Sequence, residues 1–463
     1  KNLFDLKLME DQNIGYLEKL VRDELEKESR DNSVFLTYIS AISDLIKNAV
    51  DTSNRALIVE NVVRLRKLSS VVNPIDSHCF QNAHELLSLL QMLLPDSKEK
   101  IEEDQTLYLE VLWFFTNLAS YEESISSVLF DAGVIESTLD MFNFYACFNN
   151  NVIEQIIWFF GNLAGEADEQ WRNFLLKEGV SIKLYDLIKS GCSEGVLANT
   201  VWLLSNLFRG SNPGLAVIRP SIDLLPLLLT NNNKSILMDT LWLISYATKE
   251  EPYCDLMISV LPLISRIINF IGHTEKNIRI PSRRIIGNLS SCQSPIFVDV
   301  LLKNNVLSKL RPSLSMDINE LKEILWTLSN ICAGEVSHCI QFLNSPSFQQ
   351  CFTIVAHEDD RILTELAYVF VNVLNSCFND QDVYDEYIKD RGFYIVLKDL
   401  LSTKSKKVAQ PILTLLVQFH NYFQDQFFSE IRVCGLETTI SQYSDDVELK
   451  FLVEKIGEIY SNA

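Results

Sequence analysis

No stretch of this 463-residue chain supplies the ~18 apolar residues that a membrane span needs; the most apolar segments, Leu224–Leu229 and Ile412–Phe419, fall far short. No charged–apolar–small layout of a signal peptide opens it. Basic charge is scarce: 40 Lys and Arg against 61 Asp and Glu leave a net charge of −21. Such a field repels nucleic acid and anionic membrane, so neither is expected as a partner, and it draws cationic ligands. The ten cysteines include no Cys-x-x-Cys and sit mostly in apolar helical contexts, so they read as small buried hydrophobes of a reducing compartment. The close groupings of the six histidines, His78-Cys79 with His84 and His338-Cys339, lack zinc spacing, and no metal site is expected. Asn233-Lys234-Ser235 and Asn288-Leu289-Ser290 match the glycosylation sequon with no secretory signal beside them. There is no phosphate-cradling glycine loop, no Gly-x-Ser-x-Gly, no His-Glu-x-x-His and no paired Cys/His arrangement, which argues against an enzyme and against any cofactor. Strand-like alternation is nearly missing as well, leaving an all-α chain.

What is present is a repeat. One apolar helical segment returns as 107–121, 152–166, 196–210, 236–250, 278–292, 320–334 and 362–376. With Trp113, Trp158, Trp202, Trp242, Arg284, Trp326 and Tyr368 as equivalent anchors, the gaps are 45, 44, 40, 42, 42 and 42. Seven copies at so narrow a spacing define a solenoid. Each unit continues with a second apolar segment that a glycine, Gly133 or Gly179, splits into a short helix and a longer one. Three helices in about 42 residues make an armadillo unit rather than the two-helix HEAT unit. No such repeat buries its apolar face alone, but stacked neighbours do, and the stack carries a concave groove. The expected fold is a right-handed superhelical armadillo solenoid of about nine to ten repeats. Its expected organisation is an N-terminal helical, acidic segment over 1–54, groove-forming repeats over 55–402 and degenerate capping repeats over 403–463.

The anchor aromatic and an asparagine stand four apart in Trp113/Asn117, Trp158/Asn162, Trp202/Asn206 and Trp326/Asn330, and Tyr368/Asn372 keeps the spacing. Residues four apart share a helix face, so stacked repeats align them as two ladders. A core tryptophan beside a capping asparagine is the plainer account of any single pair. It explains the recurrence poorly, because core positions drift among Leu, Ile and Val, as Leu112, Ile157, Val201 and Leu241 do. An amide can donate to one carbonyl and accept from one N–H of an extended peptide, which holds a chain without reading its sequence. Indole rings between the rungs form slots for Lys or Arg stems, with a cation–π contribution of ~0.5–2 kcal/mol each. Acids at the slot mouths would meet the charged heads: Glu166, and Glu110, Asp239, Glu323 and Glu365, each three residues before an anchor. Gln155 and Asn199 hold that offset in the second and third copies.

These motifs resemble the importin-α family of nuclear transport adaptors, from about 103 to 400 and, at its widest, from 55 to the end. The resemblance implies a major cargo site on Trp113/Asn117, Trp158/Asn162 and Trp202/Asn206. It also implies a minor site in which Asp239, Trp242 and Tyr246 lead to Arg284 and Asn288 within Pro281-SRRIIG-Asn288, then to Glu323, Trp326 and Asn330, then to Glu365, Tyr368 and Asn372. Ser126 and Glu166 fall where the family has the Thr and Asp of its lysine pocket. Tyr121 replaces a glycine there, bringing a ring that narrows the pocket, and Lys249 replaces an acid. The implied function is nuclear import: binding of Lys/Arg-rich localisation signals in extended form, by a protein shuttling between cytoplasm and nucleus. Implied partners are importin-β, given a basic segment upstream, and an export receptor at the C-terminal repeats. Residues 1–50 hold ten acidic and seven basic residues and no basic cluster, so that segment either precedes Lys1 or is lacking. The competing expectation is an armadillo scaffold of the same descent in a fixed assembly, cytoskeletal or ciliary.

Overall fold

The recurring segments become helices because each carries an apolar face and most open on a side-chain cap. They are α1 (Arg55–Ser69), α2 (Gln105–Ala119), α3 (Asn150–Gly165), α4 (Glu194–Phe208), α5 (Lys234–Ala247), α6 (Lys276–Ser290), α7 (Ile318–Ala333), α8 (Asp360–Cys377) and α9 (Lys406–Phe419). Asn54, Asp104, Asn149, Ser193, Asn233, Asp317 and Asp359 each accept a first-turn backbone N–H of α1–α5, α7 and α8. Such a cap contributes about 1 kcal/mol. Each anchor stands nine positions after its cap residue, from Asp104 and Trp113 to Asp359 and Tyr368, with Glu275 in the cap position for Arg284. The caps thus set both where each helix starts and which side chains reach the ladder face.

The computed structural model describes residues 14–23, 32–70, 83–101, 104–121, 123–210, 213–249, 251–378, 380–389, 392–419, 429 and 431–462; His78 and Cys79 lie outside them. Every regular element among the described residues is helical. The chain divides into two compact units, 1–217 and 218–463. In the first, α1 packs on α2, α2 on α3 and α3 on α4. Between these run the shorter pairs Glu123–Asp131 with Val134–Asn143, and Gln170–Lys177 with Val180–Ser190. Gly133 and Gly179 join each pair at φ +76° and +73°, the left-handed turn expected of them. In the second unit α5 packs on α6, then α6 on α7, α7 on α8 and α8 on α9. Each unit is a stack of armadillo repeats.

Two features of the second unit correct the sequence reading. Residues Glu251–Phe270 are long and apolar enough, by composition, to cross a membrane. Here they break into a helical turn (Glu251–Cys254), a 3-10 segment (Asp255–Val260) and a helix (Leu261–Phe270), and bury Tyr253, Cys254, Met257, Ile264, Ile267 and Ile268 within the repeat. Cys254 and Cys292 are not free hydrophobes but a disulfide, with Cα atoms 6.7 Å apart. The turns after α5 and α6 bring both sulfurs against the carbonyl of Asn288. Cys332, Cys339, Cys351 and Cys377 are free and buried, as expected.

Packing along each stack is tight where a glycine precedes a ladder asparagine. A Cβ on Gly161 would lie 2.0 Å from Cζ3 of Trp202, and one on Gly287 would lie 2.4 Å from Cζ3 of Trp326. Gly161→Ala and Gly287→Ala are therefore expected to destabilise the protein by about 1–3 kcal/mol each, although alanine is the better helix former. Urea unfolding checks this; unchanged or raised midpoints would mean that the indoles do not rest on these glycines.

Candidate functional site

The ladder residues fall on the faces expected. In α2, Val111, Leu112, Phe114, Phe115 and Leu118 are buried while Trp113 and Asn117 are partly open. In α3, Trp158 is 46% exposed between buried Ile157 and Phe159. Trp202 and Asn206 on α4 are half-buried, as are Trp242 and Tyr246 on α5, Arg284 on α6, and Trp326 and Asn330 on α7. Tyr368 on α8 is 44% exposed and Asn372 half-buried, whereas Asn288 is buried.

The asparagines have a structural duty that their positions alone did not reveal. Asn162 Nδ2 donates to the Thr116 carbonyl, and Asn206 Nδ2 to the Gly161 carbonyl, both at 3.0 Å. Asn288 does the same to Ser245 and Asn372 to Ser329, again at 3.0 Å. Each acceptor stands one residue before the ladder position of the preceding helix. Asn117 reaches Ser69 Oγ at 3.0 Å and the Arg66 carbonyl at 3.4 Å. These residues are neither caps nor isolated amides: in Asn162, Asn206 and Asn372 one N–H ties consecutive repeats, whereas buried Asn288 also donates to Thr248 Oγ1 at 3.1 Å and Asn117 has two acceptors. Asn330 departs from the pattern, with a buried Nδ2 that has no hydrogen-bond partner among the described residues.

The acids behave differently from the expectation that they wait for ligand cations. Glu110 is ion-paired with Arg66, whose guanidinium lies 4.2 Å from the Trp113 ring centroid. Glu323 faces Arg284 at 3.9 Å, and Glu365 faces Lys322 at 3.8 Å. Burial raises the pKa of both of these glutamates. Arg284 also approaches the Trp242 ring at 5.7 Å, while Trp242 stacks on Tyr246 at 5.6 Å. Gln155 turns back to Thr116 Oγ1 at 2.6 Å. Asp239 is the exception: it is buried without a hydrogen bond or ion pair among the described residues, and desolvation pushes its pKa up to about 7.

At the resembled lysine pocket the structure brings Ser126 and Glu166 together. The fully buried Ser126 hydroxyl donates to Glu166 Oε1. Beneath them lies an arginine that no motif had singled out. Arg172 is buried, donating to the Glu166 carbonyl at 3.3 Å and pairing with Glu169 at 3.2 Å. Room for its head comes from Gly210, where a Cβ would sit 1.7 Å from Nη1. The Tyr121 ring is turned toward α1: its hydroxyl donates to the Ser69 carbonyl, and burial raises its pKa. Lys249 is exposed.

A stack of armadillo repeats bearing aromatic and amide ladders is thus the class of protein that fold and site define. The fold agrees with the crystal structure of an engineered protein over 91% of this chain and 98% of that one, with a TM-score of 0.76 at 15% identity. In sequence the chain is similar to importin subunits alpha. It is 26% identical over 251 residues to importin subunit alpha-1a of Oryza sativa subsp. japonica, covering 53% of this chain and 46% of the relative. It is 29% identical over 146 residues to importin subunit alpha-2 of Arabidopsis thaliana (31% and 26%). With importin subunit alpha-9 of the same plant it shares 25% over 310 residues (63% and 57%). The chain spans about half the length of the curated relatives it matches, and no protein-family model matches it.

Asp239 makes stability depend on pH. Its folded pKa, near 7, lies above the ordinary carboxylate value, so between about pH 4 and 7 the folded chain holds a proton that the unfolded chain has shed. Stability from this group is greatest below that window and declines as pH rises through it, by at most about 1.4 kcal/mol per pH unit. Melting temperatures from pH 5 to 8 should fall more steeply for the natural protein than for Asp239→Asn. Parallel curves would show that Asp239 is not desolvated.

Proposed function

We infer that this chain is a nuclear import adaptor that holds Lys/Arg-rich localisation signals as extended peptides against its ladders. The observation that carries this reading is the fixed orientation of the asparagines. Because one N–H of Asn162 and of Asn206 is anchored to the preceding helix, the rest of each amide is held in place before a ligand arrives. Pre-ordered amides at regular intervals suit a repeating backbone, since little side-chain freedom remains to be lost on binding. Trp158, 46% exposed one turn before Asn162, offers a ring to a cationic stem. Glu166 in the first unit and Asp239 in the second are acids placed to receive charged heads, and the net charge of −21 draws cationic chains toward them.

The major site in this proposal comprises Trp113, Asn117, Ser126, Trp158, Asn162, Glu166, Trp202 and Asn206. The minor site runs from Asp239 through Arg284 to Asn372. In this reading the protein binds and catalyses no reaction. Importin-β, an export receptor at the C-terminal repeats and shuttling between cytoplasm and nucleus belong to the same reading, through the resemblance to importin-α. A second reading, a fixed-assembly scaffold, draws support from Glu110, Glu323 and Glu365, whose neighbours already neutralise them.

Fluorescence-anisotropy titration with a short Lys/Arg-rich peptide separates the two. The adaptor reading expects micromolar or tighter binding that weakens as salt rises. Trp158→Ala and Asn162→Ala should each cost about tenfold or more in affinity, as central contacts do. An unmutated protein that ignores the peptide at low salt would leave the scaffold reading standing.

A further inference from the structure

The ladder of the first unit does not fade out at α1; it ends on two cations. Counted from the caps, Val63, Arg66 and Lys67 of α1 hold the positions of Trp113, Thr116 and Asn117 of α2. In α2 to α8 the residue before the ladder position is Thr116, Gly161, Ser205, Ser245, Gly287, Ser329 or Val371, always uncharged. This is the residue on which the following repeat's indole rests, as Trp202 rests on Gly161 and Trp326 on Gly287. In α1 alone it is an arginine, and the indole that follows is Trp113.

Arg66 therefore takes, on the α1 side of Trp113, the place a ligand cation would take in a slot. Its guanidinium stacks 4.2 Å from the ring centroid, and Glu110 of the same repeat as Trp113 neutralises it. Both side chains are mostly withdrawn from solvent, at 16% and 15% exposure, so the contact is packed rather than a passing surface pair. One position further, where the ladder would show an amide, stands Lys67. It is exposed, and its ammonium makes no hydrogen bond or ion pair among the described residues. Its ammonium can donate to a carbonyl but cannot accept a backbone N–H, and it carries charge of the sign that the ligand carries. The neighbouring Arg64 is ion-paired with Glu60 and Glu18, which line one cavity with Arg22 and Lys67, so among the described residues Lys67 has no ion pair of its own.

We propose that Arg66 and Lys67 form a charge stop at the α1 end of the first unit's ladder: Arg66 fills the outer face of Trp113, and Lys67 selects neutral or acidic ligand residues beyond it. The inference deepens the basic-peptide reading and rests on it. It names the ligand class more narrowly: a short basic core whose flank on one side carries no further Lys or Arg. It also runs against what the whole-protein field demands, because a chain of net charge −21 should reward added lysines at either end.

The test uses the full chain and a Lys/Arg-rich core peptide, extended at its N- or its C-terminus by Lys-Lys, Ala-Ala or Glu-Glu, in anisotropy titrations at low salt. At one terminus Glu-Glu should bind tighter than Lys-Lys by about two- to fivefold, the size of an exposed charge pair. Lys67→Glu, at an exposed position that leaves packing untouched, should reverse that ranking, and Arg66→Gln should weaken it further by opening the ring face. If Arg66 were only a structural tie, Arg66→Gln would move the melting temperature and leave the ranking alone. Tighter binding of Lys-Lys at both termini, or a Glu-Glu preference that Lys67→Glu does not alter, overturns the charge stop while the groove reading survives. Failure of the bare core peptide to bind overturns both.

Discussion

The bond from the amides of Asn162, Asn206, Asn288 and Asn372 to a carbonyl of the helix before each is the contact on which the remaining geometry depends. Helices in a stack can slide along one another at little cost in apolar burial, because one Leu or Ile serves nearly as well as the next. A hydrogen bond between Asn162 and the Thr116 carbonyl, or Asn206 and the Gly161 carbonyl, has no such tolerance. It pins each helix to its neighbour at one register, and the same register lays Trp202 on Gly161. Recurrent polar residues at a half-buried face are costly when unpaired and specifying when paired. Here the specifying role and the proposed binding role fall to different hydrogens of one amide.

Electrostatics divides the candidate site unevenly. Glu110, Glu323 and Glu365 share an offset from their anchors, yet each faces a cation of the protein's own. Glu166 and Asp239, the other two acids proposed to meet a ligand's charge, differ in kind. Glu166 is held by the Ser126 hydroxyl with Arg172 beneath, whereas Asp239 sits desolvated and titrates near neutrality. A cation delivered to Asp239 would favour its ionised form, so occupancy there and proton release are linked.

Much of the architecture was legible because it is written in local spacing. Trp113 and Asn117 share a face for the same reason that they recur, and Gly133 and Gly179 announce their turns by being glycine. What escaped the sequence is what depends on residues far apart in the chain. Arg66 and Glu110 look like two surface charges until α1 and α2 are packed together. Arg172 is an ordinary helical arginine until Gly210 makes room to bury it. The pairing of Cys254 with Cys292, and the breaking of Glu251–Phe270 into three helical pieces, likewise follow from how consecutive repeats fold back on each other. Tyr121 could be placed at the pocket by alignment, but only packing decides that its hydroxyl turns to Ser69.

The disulfide has a consequence for how the second unit comes apart. A repeat stack resembles a column of coins: each touches only its neighbours, and loosening can begin at any layer and spread. Cys254 and Cys292 weld two successive layers at the level of Asn288, so that pair can detach only as a double layer. Thermal breathing that opens other junctions one at a time must there open on either side of the weld. The rung at Asn288 would then be among the last to lose its alignment as the column loosens.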